Sequence, residues 1–332
     1  MRTVFASATL VLLVILSAAC KPGEEPRSEP PLTLPSGNQP QAREDEATQT
    51  VALVLKTQAN PFFLMIEKGA RRAEKELGIR LLVRTHGDET AIAQQISIVE
   101  QLIRDKVDAI VIIPSDSVEM VPVAKKAQDA GIVIVNIDNR LDPATAREWG
   151  LVAPFVSVDN ARGGYLSAQY LASKLTRPTS VVIVTGDDSG GAGKERVRGA
   201  KQAFAENPNA RLVGTEFAYW TIDEAYKAAP QLLERHPDVG GIFSVNDLMA
   251  LGILRYLDER GRSDVLISGY DDIEEARAAI RQGKLLATID QQAEEQGYLG
   301  VKHAVRALAG EKLPLETIVD VKLVTAGSLQ QR

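Results

Sequence analysis

Cysteine is almost absent: Cys20 is the only one in 332 residues. No intramolecular disulfide and no cluster of thiolate ligands can form. Histidine is nearly as scarce, and His86, His236 and His303 lie far apart with no ligand spacing, so no metal site is expected. Basic residues are not in surplus: 38 Lys and Arg stand against 44 Asp and Glu, a net charge of −6. That balance offers no footprint for nucleic acid. Only 5% of the chain is aromatic, so rings placed at strand ends carry more information than they would in an aromatic-rich protein.

Several catalytic patterns are also missing. The glycine-rich run from Gly186 to Lys194 resembles a phosphate loop only at first sight. The Walker spacing would place glycine at Asp188 and Ser or Thr at Glu195. The dinucleotide pattern fails too, because Arg196 stands where its last glycine belongs. The glycines read as residues that let the backbone turn into the next helix. There is no Gly-x-Ser-x-Gly elbow. Adjacent carboxylates such as Asp187-Asp188 and Asp271-Asp272 do not converge on one bond as a glycosidase pair must. No cofactor is expected.

The N-terminus reads as a leader. Residues 11–16 are the core of an apolar stretch far too short to span a bilayer. It ends in Ser17-Ala18-Ala19-Cys20, which resembles the lipobox of bacterial lipoproteins. Residues 1–19 are then a signal peptide and Cys20 the lipidation site. This explains a lone cysteine better than a free thiol does, and stable anchoring needs more than one acyl chain. Residues 20–48 carry prolines 22, 26, 30, 31, 35 and 40 among Glu, Ser, Gly and Gln. Such a segment cannot bury enough apolar surface to fold and is expected to be a disordered tether reaching about 30 Å.

From residue 51 onward, short apolar runs alternate with amphipathic helical patterns. Runs at 51–55, 79–83, 109–113, 132–137 and 155–158 fill the first half. Runs at 181–185, 212–217, 242–245 and 265–270 fill the second. The alternation predicts an α/β protein with parallel sheet covered by helices on both faces. The strands are too many for one sheet, so two lobes are expected, with a boundary near residues 156–159.

Almost every run is followed by polar or aromatic residues. Lys56 and Asn60 follow the first, with Phe62 and Phe63 just beyond. Asp138 and Asn139 follow the fourth, and Trp220, Asn246, Asp271 and Gln291 follow runs of the second half. In open α/β sheets ligands bind at the carboxyl ends of strands. Flat rings beside amides and an ammonium suit a small polyhydroxylated ligand. For any one of these residues helix capping is the competing reading, notably for Asp116 and Asp247. Phe62 could equally be core, and Lys56 a strand-end charge reaching solvent.

Taken together, Asn60-Pro61-Phe62-Phe63, His236-Pro237-Asp238, Asn246-Asp247 with Met249-Ala250-Leu251-Gly252, Gly269-Tyr270-Asp271 and the segment 283–289 resemble periplasmic sugar-binding proteins of ABC importers. Their character is that of the ribose- and allose-binding group, and the resemblance runs from Val51 to the C-terminus. It implies two doubly wound, Rossmann-like lobes joined by a three-crossing hinge: 49–157 plus 292–320, and 158–291 plus 321–332. It implies a monosaccharide held between them by Lys56, Asn60, Phe62, Phe63, Asp138, Asn139, Arg196, Trp220, Asn246, Tyr270, Asp271 and Gln291. Phe62 and Phe63 would stack on one sugar face and Trp220 on the other.

Lys56 is as in allose-type members, where ribose-type members carry serine. Asn139 departs from both, Ile113 stands where ribose-type members carry asparagine, and Tyr270 replaces a phenylalanine or smaller residue. The expected partners are the sugar, an ABC permease and, through the lipid, the membrane. The protein is expected to be a monomer of the cell envelope and not an enzyme. A sugar-sensing receptor docking a membrane kinase or chemoreceptor would share this binder, and a sugar-modifying enzyme is the third reading.

Overall fold

A computed structural model describes residues 48–87, 91–187 and 190–330. The leader, Cys20 and the tether up to residue 47 lie outside them, as do Asp188 and Ser189 of the glycine-rich run. Strand and helix alternate as β1 (Thr50–Val54), α1 (Pro61–Leu77), β2 (Arg80–Arg84), α2 (Ile92–Arg104), β3 (Ala109–Ile112), α3 (Val121–Asp129), β4 (Val133–Ile137), α4 (Pro143–Trp149) and β5 (Phe155–Val158). The alternation continues through α5 (Asn160–Ala172), β6 (Thr179–Thr185), α6 (Gly191–Ala205), β7 (Ala210–Phe217), α7 (Ile222–Arg235), β8 (Val239–Ser244) and α8 (Asp247–Glu259). It closes with β9 (Leu266–Ser268), α9 (Glu274–Arg281), β10 (Ala287–Asp290), α10 (Ala293–Leu308), β11 (Glu316–Val319), β12 (Lys322–Thr325) and α11 (Ala326–Leu329).

The described strands form two sheets, ordered β11-β5-β4-β3-β1-β2 and β12-β10-β9-β8-β6-β7. All neighbours run parallel except β12, which is antiparallel to β10. Among the described residues the chain passes between the sheets three times: after β5, after β10, and between β11 and β12. These are two doubly wound α/β lobes.

The strands read as continuous apolar runs because both faces of each sheet are covered. In β1, Val51 and Leu53 point to the core shared with α1 and α10, while Ala52 and Val54 point to the core under α2 and α3. α1 shows how local chemistry sets an element. Asn60 Oδ1 accepts from Phe62 N at 3.0 Å and caps the start. Pro61 sits at the first position, where its missing N–H has no partner to lose. Gly78, at φ 65, ends the helix in the left-handed region. Between them Phe62, Phe63, Ile66, Gly69, Ala70 and Ala73 make one buried stripe.

That stripe meets α10 at backbone distance. A Cβ on Gly69 would lie 1.7 Å from Glu294 O, and one on Gly297 would lie 2.0 Å from Ile66 O. α10 follows a crossing between the sheets and also packs on β3 and β4, so this contact seats the segment after that crossing on the first lobe.

Two features were not legible as regular structure. The polar excursion after residue 137 contains α4, started by Asp142 Oδ1 accepting from Thr145 N at 2.8 Å and ended by Gly150 at φ 68. It buries no residue, so it leaves no apolar stripe to read. β11 and β12 lie at sheet edges and alternate in exposure, which replaces the continuous run with a weaker pattern. Substituting alanine at Gly69 or Gly297 should lower the urea midpoint, by about 1–3 kcal/mol of stability, with helical circular dichroism retained. An unchanged midpoint would show that the two helices are not in backbone contact.

Candidate ligand-binding cleft

The carboxyl ends of strands from both sheets meet at one cavity, with about 420 Å³ of empty space counting its open mouth. From the first lobe it is lined by Lys56, Asn60, Phe62, Phe63, Asp138 and Asn139. From the second it is lined by Gly190, Ala192, Gly193, Arg196, Trp220, Asn246, Asp271 and Gln291. Eleven of the twelve residues singled out by sequence are therefore brought together. Tyr270 is not among them. It is fully buried behind the wall, with the Arg196 guanidinium 3.8 Å from its ring centroid and its hydroxyl 3.3 Å from Asn160 Oδ1. Burial pushes that hydroxyl above the ordinary phenol range, so it stays protonated.

Phe62 and Phe63 form an edge-to-face pair, ring centroids 5.3 Å apart at 66°. Both are almost wholly buried, so the core reading and the wall reading hold together. The same is true of the two asparagines. Asn60 caps α1, and Asn246 caps α8 with Oδ1 accepting from Met249 N at 2.9 Å. Asn246 also donates through Nδ2 to Trp220 O at 3.0 Å. Asp116 keeps only the turn reading: its Oδ1 accepts from Val118 N and Glu119 N, both at 2.7 Å, and it is outside the cavity lining.

Arg196 is the centre of the polar wall. Its Nε donates to Asn160 Oδ1 at 2.8 Å, Nη1 to Val245 O at 3.0 Å and to Asp271 Oδ1 at 3.4 Å, and Nη2 to Gln291 Oε1 at 3.3 Å. Gln291 Nε2 also donates to Asp271 Oδ1 at 2.8 Å. A planar fork of donors, stacked on Tyr270, is thus locked before any ligand arrives. Asn160, the first residue of α5, was missed by sequence reasoning, since nothing local marks a helix-start asparagine as an arginine partner.

Asp138 is different. Its backbone oxygen accepts from Ser157 Oγ at 2.7 Å, but its carboxylate Oδ1 is buried with no hydrogen-bond partner. Burial holds its carboxyl above the ordinary carboxylate range, although the charges of Arg196 and Lys56 oppose the rise. Buried acceptors are nearly always paired in native proteins, which sets this atom apart from the rest of the cavity lining.

Three cavity residues have left-handed backbone: Asp138 at φ 60, Trp220 at φ 69 and Asp271 at φ 124. Such conformations cost of order 1–3 kcal/mol each and cluster at functional sites. The glycine-rich run has another role than expected. Gly186, Gly190 and Gly193 do not adopt left-handed backbone. A Cβ on Gly186 would lie 1.8 Å from the Trp220 ring, and one on Gly193 2.9 Å from it. They are glycines because the indole lies on them. A larger groove of about 620 Å³ adjoins the cavity. Its walls include Arg72, Asp272, Arg277, Asp290 and Glu295 but no aromatic ring. Among the described residues no group of His, Cys, Asp and Glu is arranged to hold a metal, and no helix is long and apolar enough to cross a membrane.

The family model described as periplasmic binding protein domain matches residues 51–312. The chain belongs to the periplasmic binding protein family. A D-ribose/D-allose-binding protein of Pseudomonas aeruginosa is 40% identical over 283 residues, covering 83% of this chain and 88% of that one. A ribose import binding protein of Escherichia coli is 33% identical over 278 residues, covering 84% and 91%. A periplasmic solute binding protein of an ABC transporter from Actinobacillus succinogenes, solved with bound D-allose, superposes with a TM-score of 0.82. It is 35% identical, and the match covers 86% of this chain and all of that one. These relatives are binding proteins of transport, not enzymes.

In this periplasmic binding protein, Gly186→Ala should displace the Trp220 indole without unfolding the sheet. The expected result is a shifted tryptophan emission with unchanged far-ultraviolet circular dichroism. Identical emission would mean that the indole does not rest on Gly186.

Proposed function

We propose that this protein is the sugar-capturing lipoprotein of an ABC importer, taking D-allose, D-ribose or a near relative into the cleft. The observation that carries the reading is the unpartnered Asp138 Oδ1, buried in a cavity that Lys56, Arg196 and the rings of Phe62, Phe63 and Trp220 also line. A sugar hydroxyl is a neutral donor of the right size for that acceptor. The apolar C–H faces of the same ring match Phe62 and Phe63 on one side and Trp220 on the other. Arg196, Asp271 and Gln291 form a set of fixed donors and acceptors for further hydroxyls, and the remaining polar groups of the wall complete it. Lys56, in an allose-like position, tilts the choice from ribose toward allose. The names of the relatives support the same class of ligand.

The cleft is made by two lobes whose chain connections are the three crossings, so a ligand touching both walls favours the closed arrangement by its differential contacts. Hinge closure around a ligand is the characteristic motion of two-lobed periplasmic binding proteins. The closed protein then delivers its sugar to a permease while a lipid on Cys20 keeps it at the membrane. It acts as a monomer at the periplasmic or outer face of the envelope.

A thermal-shift panel of aldopentoses, aldohexoses, ketohexoses and inositols tests the ligand. A sugar at 100 times its dissociation constant adds about 2.7 kcal/mol, a rise of roughly 5–10 °C for a protein of this size. Asp271→Ala and Trp220→Ala should each abolish tight binding while the ligand-free protein stays folded, at a lower midpoint because each change leaves a buried charge or a cavity behind. No shift with any monosaccharide, or wild-type affinity in both variants, would overturn the reading. Separately, Cys20→Ala should move the protein from the membrane pellet to the soluble fraction and remove palmitate labelling; unchanged fractionation and labelling would refute the anchor.

A further inference from the structure

Asp247 is a buried carboxylate that the cleft does not use. It opens α8 immediately after the capping Asn246 and is completely shielded from solvent. Its Oδ2 accepts from Ile273 N at 3.1 Å, and its two oxygens share Thr288 Oγ1 at 2.8 and 2.9 Å. Thr288 Oγ1 in turn accepts from Asp272 N at 3.1 Å. Gly269 lies against the same group, since a Cβ there would stand 2.2 Å from Asp247 Oδ1. The Asp272 carboxylate is held by Arg277, with Nε at 2.8 Å.

These contacts bracket Asp271 on both sides in sequence. Asp271 itself has φ 124 and Asp272 has φ 62, although Gly269 N and Asp271 N both remain tied to β10 through Ala287 O and Ile289 O. A turn of this kind persists only where its surroundings over-determine it. Burial pushes the Asp247 carboxyl up, to about 8, with the charge of Asp272 adding to the rise, while hydrogen bonds from Thr288, Ile273 and Asp272 oppose it. The carboxylate and the turn are therefore held by one set of hydrogen bonds: the Ile273 amide reaches Asp247 directly, and the Asp272 amide reaches it through the Thr288 hydroxyl of β10.

We propose that Asp247, with Thr288 bridging to Asp272 N, is the positioning group that holds the 269–273 turn and aims Asp271 into the cleft. The consequence for affinity rests on the sugar-binding reading above, whereas the hold on the turn does not. Asp247 touches no cavity space. It acts through Asp271, and Thr288 is its link to the strained amide.

The test uses the whole protein, with Asp247→Asn, Thr288→Val and Thr288→Ser. Without ligand, hydrogen exchange is followed at peptides covering 269–274 and, as a reference, 181–185. The asparagine and valine variants should raise exchange selectively in the turn, and serine should restore protection. Unchanged exchange in the turn, or an equal rise in β6, would overturn the positioning role whatever the ligand proves to be. In the second arm, D-allose affinity is measured by calorimetry in each variant and again on an Asp271→Asn background. Thr288→Val should weaken binding about tenfold, as expected for a buried amide left without its partner, and Thr288→Ser by less than about threefold. On the Asp271→Asn background the valine effect should shrink to within about twofold, because the two changes act through one group. An undiminished effect on that background would mean a general structural role and refute the proposal. If wild-type protein ignores D-allose, the allose reading falls and the exchange arm alone decides.

Discussion

One buried guanidinium ties the second lobe's binding wall together. Arg196 projects from α6 and reaches Asn160 on α5, the backbone after β8, Asp271 after β9 and Gln291 after β10. Both members of its ion pair with Asp271 are almost fully buried. Such a pair is stable only when its remaining donors and lone pairs are satisfied, and here the amides and carbonyl around it do that. Removing one partner would leave the other charge buried. The arrangement therefore couples five segments, and the wall is rigid without ligand. Preorganisation of this kind lowers the ordering cost of binding.

The opposite wall is built on other principles. Asn60 and Pro61 start α1 at a fixed point beyond β1, which sets Phe62 and Phe63 at the strand edge. Asp138 is then the electrostatic exception, with a desolvated oxygen facing Lys56 and Arg196 but bonded to neither. One wall is complete and the other has an acceptor still to be served. Backbone contact of α1 with α10 through Gly69 and Gly297 holds the segment after the second crossing firmly to the first lobe.

Much of the fold and site was legible because period and position carry them. Continuous apolar runs revealed the parallel strands, and β5 falls at the residues its run indicates. The polar residues after those strands converge because every parallel strand delivers its carboxyl end to one edge. Other features left no local trace. α4 buries nothing, and β11 and β12 are short edge strands. Gly186 and Gly193 looked like turn residues, yet their reason is an indole that arrives from the end of β7. Tyr270 looked like a ligand contact from its neighbours in sequence, but it lies one layer back, beneath Arg196.

By itself the sequence determined the class of the fold, the pairing of rings with amides at strand ends, and the kind of ligand those groups suit. These follow from periodicities of two to four residues and from side-chain chemistry, both of which are local. Only the tertiary structure decided which of those groups are already spent on the protein and which are free to bind. Asn246, Gln291 and Arg196 are engaged by partners 20 to 95 residues away, while Asp138 Oδ1 has none. It also revealed the left-handed turns at Asp138, Trp220 and Asp271 and the buried Asp247 behind the last of them. Hydrogen-bond satisfaction and backbone strain depend on what a residue meets in space, and no pattern along the chain records that.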